Sequence, residues 1–404
     1  MKIRYFFYLF FFSSLFADFV AFDSLHDLLD YYRKHSPMLA LEASKKDLVK
    51  AEAESYKAYP APELSLEWGS QSDMYYGGVT VSQEFLYPGK RKANLNLQKD
   101  KEVLAEKSYV ISRINGELQI AKFYLDFLLV QEKERYLDSN LSSLSFVLET
   151  AKNRYALGFS SLDEVFRIES EMSKLKIKNL DLVQERQSVL SWISSLLSLD
   201  SIEVKVNGAL KERVLDLKLE ELLKKINQTP EFQALEIHKK IAKDEIRVAQ
   251  LKSKPNWMLQ ASYMVMKEQN DWSLMLGFQL PFFPWASSEF KGSVNEAKVR
   301  ERSLKLEENN LKSRYEQEIK KAFLAYQNAV SKKNLIVEIH ENIIEKAFEA
   351  SLISYANGKS DLTAVLDSFR EKILIQEERS SAYSHLYYSV FNLEQILGLT
   401  PGEL

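Results

Sequence analysis

The side chains best suited to metal chemistry in this chain are four methionines that share one predicted face of a hairpin. They are half of the eight methionines in the sequence: Met258, Met264, Met266 and Met275. Thioether sulfur binds soft ions such as Cu(I). Methionine is also a common filler of irregular gaps, which is the favoured interpretation here, with metal contact as the alternative. The sequence therefore assigns no definite metal ligand.

Three glutamates occupy the corresponding face of an earlier hairpin. Glu63, Glu67 and Glu84 fall on the polar side of alternating stretches. Carboxylates that line a pore make it mildly favourable to cations. If both hairpins line one pore, these glutamates and the four methionines are its predicted lumen-facing residues.

Catalytic chemistry has no candidate. The histidines stand in helical stretches among charged residues, without the mutual spacing of metal ligands: His26, His35, His238, His340 and His385. The sequence contains no phosphate loop, nucleophile elbow or zinc motif. We therefore predict that the protein is not an enzyme and needs no cofactor.

The elements that carry these residues are two hairpins with strictly alternating polarity. In the second, at about 256–280, one parity is wholly apolar with aromatic residues at its ends, from Trp257 to Val265 and from Trp272 to Leu280. The first, at about 62–86, agrees in weaker form, with Leu64, Leu66 and Trp68 against the glutamates. Period two predicts strands, and a continuous apolar face is typical of the outward side of a membrane barrel. A soluble sheet packed on one side is the alternative.

Two arguments favour the membrane interpretation. Four strands cannot close a barrel, and an isolated hairpin is marginal in water, so the strands must pair with other copies of the chain. A bilayer accepts only helices or closed barrels, and no later stretch of this sequence approaches eighteen consecutive apolar residues. If the chain enters a membrane, it does so as strands.

The sequence contains an internal duplication that covers most of the chain. Tyr155-Ala156-Leu157-Gly158 returns as Tyr355-Ala356-Asn357-Gly358, each between two long helical stretches. The predicted organisation is a first repeat at 18–199, a connector at 200–228 and a second repeat at 229–404. Its long helices are predicted at about 89–156, 161–197, 288–355 and 362–397. Self-similarity on this scale indicates a doubled supersecondary unit.

The first of these helices is unusually long. Only Gly116 interrupts its periodicity, and at about 1.5 Å per residue it extends about 100 Å. With 12 Gly and 9 Pro in 404 residues, the chain has few of the turn-forming residues that a loop-rich fold needs. The predicted fold class is mainly α with a small membrane β part, built from two helix, β-hairpin, long helix, helix units.

The N-terminus predicts export. Lys2 and Arg4 precede an apolar run too short to span a bilayer, and Ala17 precedes Asp18, so residues 1–17 form a predicted signal peptide. A retained anchor helix is the alternative. The chain has no cysteine, hence neither disulfides nor a lipid-bearing cysteine at the cleavage point. The formal charge of -3, with lysines alternating with glutamates, excludes nucleic acid as a predicted partner.

This pattern resembles the TolC family of outer-membrane efflux channels over essentially the whole mature chain. The resemblance depends on the doubled layout, the two Tyr-x-x-Gly turns and the segment from Ser82 to Arg91, which resembles most closely the branch that serves heavy-metal efflux pumps. Each motif is weak alone, and their order and spacing are specific together. Unlike some relatives, this chain has no cysteine to carry a lipid at the predicted cleavage point.

The resemblance implies a homotrimer in the outer membrane. Each protomer gives four strands to a twelve-stranded β-barrel in outer-membrane lipid and its helices to a trimeric periplasmic α-barrel. A periplasmic membrane-fusion adaptor and an inner-membrane transporter of RND type are the implied partners. The two turns would form the adaptor and gate region: Arg154, Tyr155, Leu157, Gly158, Phe159, Ser160 and Asp163, with Tyr355, Asn357, Gly358, Lys359, Ser360 and Asp361.

The same turns also have a purely structural interpretation. Gly158 and Gly358 can end one helix at the C′ position, and a serine or aspartate can cap the next. We expect both roles to hold. The function that the resemblance implies is a passive exit conduit for metal ions or small toxic compounds. Two alternatives stay open: the exit duct of a type I protein secretion system, and a structural exported coiled-coil protein.

Overall fold

The computed structural model describes residues 20–71, 74–199, 204–210, 215–266, 270–281 and 283–404. The predicted signal peptide at 1–17 lies outside the described residues. So do parts of the predicted connector, at 200–203 and 211–214.

The chain forms two compact units, and each takes segments from both sequence repeats. The turn unit comprises the described residues of Met1–Pro37, Glu117–Val214 and Tyr326–Ser389. The sheet unit comprises the described residues of Met38–Gly116, Leu215–Ala325 and Val390–Leu404. The predicted division into repeats therefore describes the order of elements along the chain and not the compact units.

Helices dominate the described chain, as the scarcity of Gly and Pro predicts. Their bounds are α1 Leu25–His35, α2 Pro37–Ser55, α3 Lys90–Ala156, α4 Leu162–Leu197, α5 Leu219–Lys224, α6 Pro230–Lys252, α7 Pro284–Asn334, α8 Glu341–Ala356 and α9 Leu362–Leu397. None of the described helices is both long and apolar enough to be a membrane span.

The described strands are short or of medium length. Their bounds are β1 Val20–Phe22, β2 Glu63–Gln71, β3 Met74–Phe85, β4 Val204–Val206, β5 Trp257–Met266 and β6 Asn270–Phe278. In the turn unit, β1 pairs with β4 in parallel, a contact that the sequence did not suggest.

The sheet unit joins both predicted hairpins into one four-stranded antiparallel sheet in the order β2-β3-β5-β6. The link between hairpins is the pairing of β3 with β5, which sets Tyr76 opposite Met266 and Phe85 opposite Trp257. Phe85 and Trp257 stack with ring centroids 4.2 Å apart. Within this described sheet, β2 and β6 each have a partner on one side only.

The helices of the turn unit pack through residues spaced by sevens. On α3, Leu137, Leu144 and Ala151 are buried in one apolar cluster. On α4, Ile168 and Leu175 continue the cluster, and Leu182 follows at the same interval. A strict seven-residue repeat keeps one apolar seam facing a partner helix, as in a coiled coil. Residues of α8 and α9 also belong to the cluster: Phe348, Tyr355, Leu362, Val365, Leu366 and Phe369.

The second long helix differs from the sequence expectation in two ways. It begins at Pro284 instead of about 288, because proline fits the first turn of a helix. It is also not one uniform α-helix, since a π-helical segment, Leu335–His340, separates α7 from α8. A π segment accommodates one extra residue within an α-helix. In the predicted connector, the described helix α5 spans Leu219–Lys224.

Candidate functional site

The two Tyr-x-x-Gly turns share the same backbone geometry. Gly158 has φ of 77° and Gly358 has φ of 72°, both in the left-handed region that favours glycine. At the first turn, the Gly158 amide donates to the carbonyl of Tyr155 at 2.9 Å and the Phe159 amide donates to the carbonyl of Arg154 at 2.8 Å. The second turn repeats these two bonds two hundred residues later. This pattern ends a helix and satisfies its last carbonyls.

The helices that follow are capped differently. Asp361 Oδ1 accepts a hydrogen bond from the amide of Ala364 at 3.0 Å, so α9 has the expected side-chain cap. Ser161 is the N-cap of α4, but its side chain makes no capping hydrogen bond. The expected serine cap is therefore wrong for the first turn. Instead, acidic residues in the first turn of α4, Asp163 and Glu164, complement the positive end of its dipole.

Three residues, here named the clasp, join the two turns. The Arg154 guanidinium donates to the carbonyl oxygen of Tyr355 through Nη1, and to that of Phe159 through Nη2 at 3.4 Å. Its centre lies 4.6 Å from the centroid of the Tyr355 ring, a cation–π contact. The Tyr355 hydroxyl donates to Glu164 Oε2 at 2.7 Å. Arg154, Tyr355 and Glu164 therefore hold α3, α4 and the second turn together.

Electrostatics favour the neutral form of the clasp tyrosine. Burial raises the pKa of Tyr355 well above its usual value, and the Glu164 carboxylate, which accepts its hydrogen bond, raises the pKa further. The positive charge of Arg154 acts in the opposite direction and is outweighed. At neutral pH the phenol is consequently protonated and able to donate.

The two turns present unequal surfaces. Tyr355 is fully buried, whereas its counterpart Tyr155 is 46% exposed. Leu157 and Phe159 are more than two-thirds exposed at the first turn, and Phe166 on α4 is also exposed. At the second turn the exposed side chains are polar: Asn357, Lys359 and Asp361. The chain thus offers one apolar and one polar turn.

The structure brings all thirteen predicted adaptor and gate residues to these two turns, in the turn unit. Ser160 Oγ donates back to the carbonyl of Ala151 at 3.2 Å, Asp163 pairs with Arg167 at 2.8 Å, and Ser360 is half-buried beside its turn. Across the two turns, Arg154 donates a hydrogen bond to Tyr355 and also lies beside Gly358.

Sequence reasoning missed Glu164, and also the Arg370–Glu171 pair, whose N–O distance is 2.6 Å. No local pattern signals pairs so distant in sequence.

The predicted lumen-facing residues share one face of the sheet. Register places Glu84 opposite Met258, and Gly78 opposite Met264. It also places Met275 opposite Gln260, and Thr80 Oγ1 donates to Ser262 Oγ at 3.0 Å across the same face. The three glutamates and four methionines therefore lie together: Glu63, Glu67, Glu84, Met258, Met264, Met266 and Met275. Whether this face lines a lumen stays a prediction.

Two of the methionines fill space above glycines on neighbouring strands. A Cβ at Gly78 would lie 3.2 Å from Met264 Cγ, and one at Gly277 would lie 3.6 Å from the methyl of Met258. This contact supports the packing interpretation of these side chains. Among the described residues, no group of three or more His, Cys, Asp or Glu could hold a metal ion. The opposite face is apolar and exposed, including Leu66, Trp68, Trp272 and Leu274.

No family model matches this chain. Its sequence is similar to the outer membrane protein TolC of Vibrio cholerae, with 21% identity over 412 residues that cover 93% of this chain and 91% of TolC. Its fold is similar to that of CusC, with a TM-score of 0.78 and 13% identity over 93% of this chain and 92% of CusC. The outer-membrane channel OprN matches with a TM-score of 0.77 and 15% identity, over 93% of this chain and 89% of OprN.

VceC of Vibrio cholerae adds a third solved structure, with a TM-score of 0.75 and 17% identity over 93% of this chain and 96% of VceC. Such similar scores do not separate the branches, so the assignment to heavy-metal efflux stays a prediction. The relatives are channel proteins and not enzymes, which supports a non-enzymatic role at the level of the family. Sequence similarity and fold similarity both span nearly the whole chain, so the chain is similar over its length to outer-membrane channels of the TolC family.

Proposed function

We propose that the protein is the exit channel of a tripartite efflux pump, closed at rest by the clasp. The observation that carries this proposal is the set of contacts that Arg154, Tyr355 and Glu164 make between the two turns. A resting channel must hold its narrow end shut yet release it when a partner binds. A few charge-assisted hydrogen bonds between helix ends suit that requirement, because each is strong enough to bias an equilibrium and weak enough to break.

The four-stranded sheet supports a role as one part of a β-barrel built from several copies of the chain. Its outer strands, β2 and β6, each have an unpaired side in the described sheet, and one of its faces is exposed and apolar. Unpaired strand edges pair readily with another chain, and a barrel removes such edges by closure. Three copies of four strands would give the twelve-stranded barrel that the family resemblance implies. The apolar face would then meet lipid, and the glutamate and methionine face would line the pore.

The unequal turns support docking of a second protein. An exposed apolar patch of Tyr155, Leu157, Phe159 and Phe166 is costly in water unless a partner covers it. A periplasmic membrane-fusion adaptor is the proposed occupant, and the polar turn with Lys359 and Asp361 would contact it through charge. An inner-membrane transporter of RND type would supply metal ions or small toxic compounds.

The decisive experiment measures assembly and conduction of the purified protein. We expect a trimer that resists heat and SDS in outer-membrane fractions, and discrete but small conductance in planar bilayers because the resting channel is closed. A monomer without conductance would overturn the proposal. Deleting the chain and asking which inner-membrane pump loses activity then identifies the transporter and the substrate class.

A further inference from the structure

The turn unit contains a groove of about 560 Å³ between α3, α4 and α9, away from the two turns. Its volume is in the range of sites that hold a drug-sized molecule. The floor is apolar and is formed by Leu129, Leu137, Leu175, Leu182 and Ile373. None of these side chains takes part in the clasp, so the proposed gate does not explain the groove.

Two buried polar side chains line the groove with an unsatisfied atom. Asn140 and Ser380 are each 3% exposed. Asn140 Nδ2 donates to Gln376 Oε1 at 2.8 Å, but Asn140 Oδ1 and Ser380 Oγ have no hydrogen-bond partner among the described residues. Other helical serines, such as Ser142 and Ser188, donate to the carbonyl four residues earlier.

Unsatisfied buried polar atoms require a partner, because leaving a donor or acceptor unpaired away from water is costly. The Asn140 Oδ1 atom can only accept, so its partner must donate. The Ser380 hydroxyl can do either. A ligand with an N–H group satisfies both atoms, whereas an anion satisfies at most the serine.

The charged side chains of the groove are predominantly acidic. Lys133 pairs with Glu185 at 3.0 Å, and Lys178 pairs with Glu377. Two further carboxylates line the groove without an ion pair among the described residues, Asp126 and Asp181. Asp126 accepts a hydrogen bond from the Tyr388 hydroxyl at 2.9 Å, while the exposed Asp181 has no such partner in the described chain. Two lysines against four carboxylates leave the ionised groove with a formal charge of -2, which favours a cation.

We propose that this groove binds an organic cation, with its apolar body on the leucine floor and a primary ammonium directed at Asn140, Ser380 and the acidic rim. The site is distinct from the turns and from the sheet face. It does not depend on the proposed gating function, because the contacts that define it lie within one protomer. A ligand there would contact the wall of the channel and not the closed end.

The test titrates full-length protein in detergent with 1-naphthylmethylammonium, followed by naphthalene fluorescence, with protein-free micelles as the blank. The neutral isostere 1-naphthalenemethanol is the matched probe. We expect saturable binding of the ammonium, and binding of the alcohol that is weaker by about tenfold or more, because hydrogen bonds to charged groups are the stronger class. Equal affinity for the two probes, or no saturable binding of either, would overturn the proposal.

Variants separate the groove from general surface charge. Asp181→Asn should weaken ammonium binding about tenfold and leave alcohol binding unchanged. Asp138→Asn, an exposed carboxylate on α3 outside the groove, is its control and should change neither. Ser380→Ala should weaken ammonium binding more than its control Ser142→Ala. Equal effects of Asp181→Asn and Asp138→Asn would refute the proposed site.

Discussion

Removing the hydroxyl of Tyr355 should open the resting channel. The Tyr355→Phe substitution keeps the ring under Arg154 and deletes only the donor to Glu164 Oε2, which lies 2.7 Å away. A hydrogen bond to a charged acceptor contributes about 1.5–3 kcal/mol. We take the lower value, because Glu164 is half-buried and can regain water when its partner is lost.

About 1.4 kcal/mol corresponds to a tenfold change in an equilibrium constant. Each Tyr355–Glu164 hydrogen bond lost should therefore shift the closed-to-open ratio of its own protomer by about tenfold. In a trimer, the loss of this hydrogen bond in three independent protomers would together change the free energy of closure by about 4.5 kcal/mol.

The assay is single-channel conductance in planar bilayers. We expect Tyr355→Phe to increase mean conductance and the lifetime of open events. Tyr155→Phe is the matched control, since Tyr155 occupies the equivalent position of the other turn but is exposed. Glu164→Gln keeps a neutral acceptor, so its effect should be intermediate. If Tyr355→Phe and Tyr155→Phe both conduct like the natural channel, the clasp does not hold the channel closed.

Three further predictions concern pH, backbone and docking. Burial and Glu164 raise the pKa of Tyr355, so the neutral phenol is favoured in the closed state. Closure should therefore not depend on this group below pH about 10, the ordinary tyrosine pKa, and should weaken as the pH rises above it. In conductance recordings, Tyr355→Phe should flatten this pH dependence. Gly158→Ala should lower the free energy of unfolding by about 1–2 kcal/mol, and because no atom lies within 4 Å of the added Cβ, the loss would come from the φ of 77° alone. The matched helix-interior change Gly292→Ala should raise the free energy of unfolding by about 0.5–1 kcal/mol. Chemical denaturation that finds both changes neutral would contradict this prediction. Leu157→Asp should reduce adaptor crosslinking by removing apolar contact, and the double charge reversal Lys359→Glu with Asp361→Lys should disrupt crosslinking or raise conductance; unchanged behaviour in both assays would refute the docking role of that turn.

The sequence predicted the features that depend on local rules. Only glycine accepts the left-handed φ at positions 158 and 358 without strain, so the two turns could be located from their composition. Period two likewise placed Glu84 and Met258 on one face of the sheet, which the register of β3 with β5 bears out. In both cases the evidence lies within a few residues of the feature.

Features that depend on distant packing could not be predicted. Tyr155 and Tyr355 stand in nearly identical sequences, yet one is exposed and the other fully buried. Arg154 on α3 and Glu164 on α4 contact Tyr355 on α8, and this proximity depends on how the three helices pack. The unsatisfied Asn140 and Ser380 are invisible for the same reason, since burial of a helical serine depends on its neighbours in space.

The π segment between α7 and α8 affects how the helix that leads to the polar turn can change in length. Leu335 and Ile343, eight residues apart, are both exposed. Eight residues of regular α-helix rotate a side chain by about 80° beyond two full turns, whereas seven stop about 20° short of them. If the segment absorbs one residue, the eight positions count as seven, and both side chains point to nearly the same side. A π segment that absorbs one residue in this way preserves the phase of α8 and of the polar turn at its end.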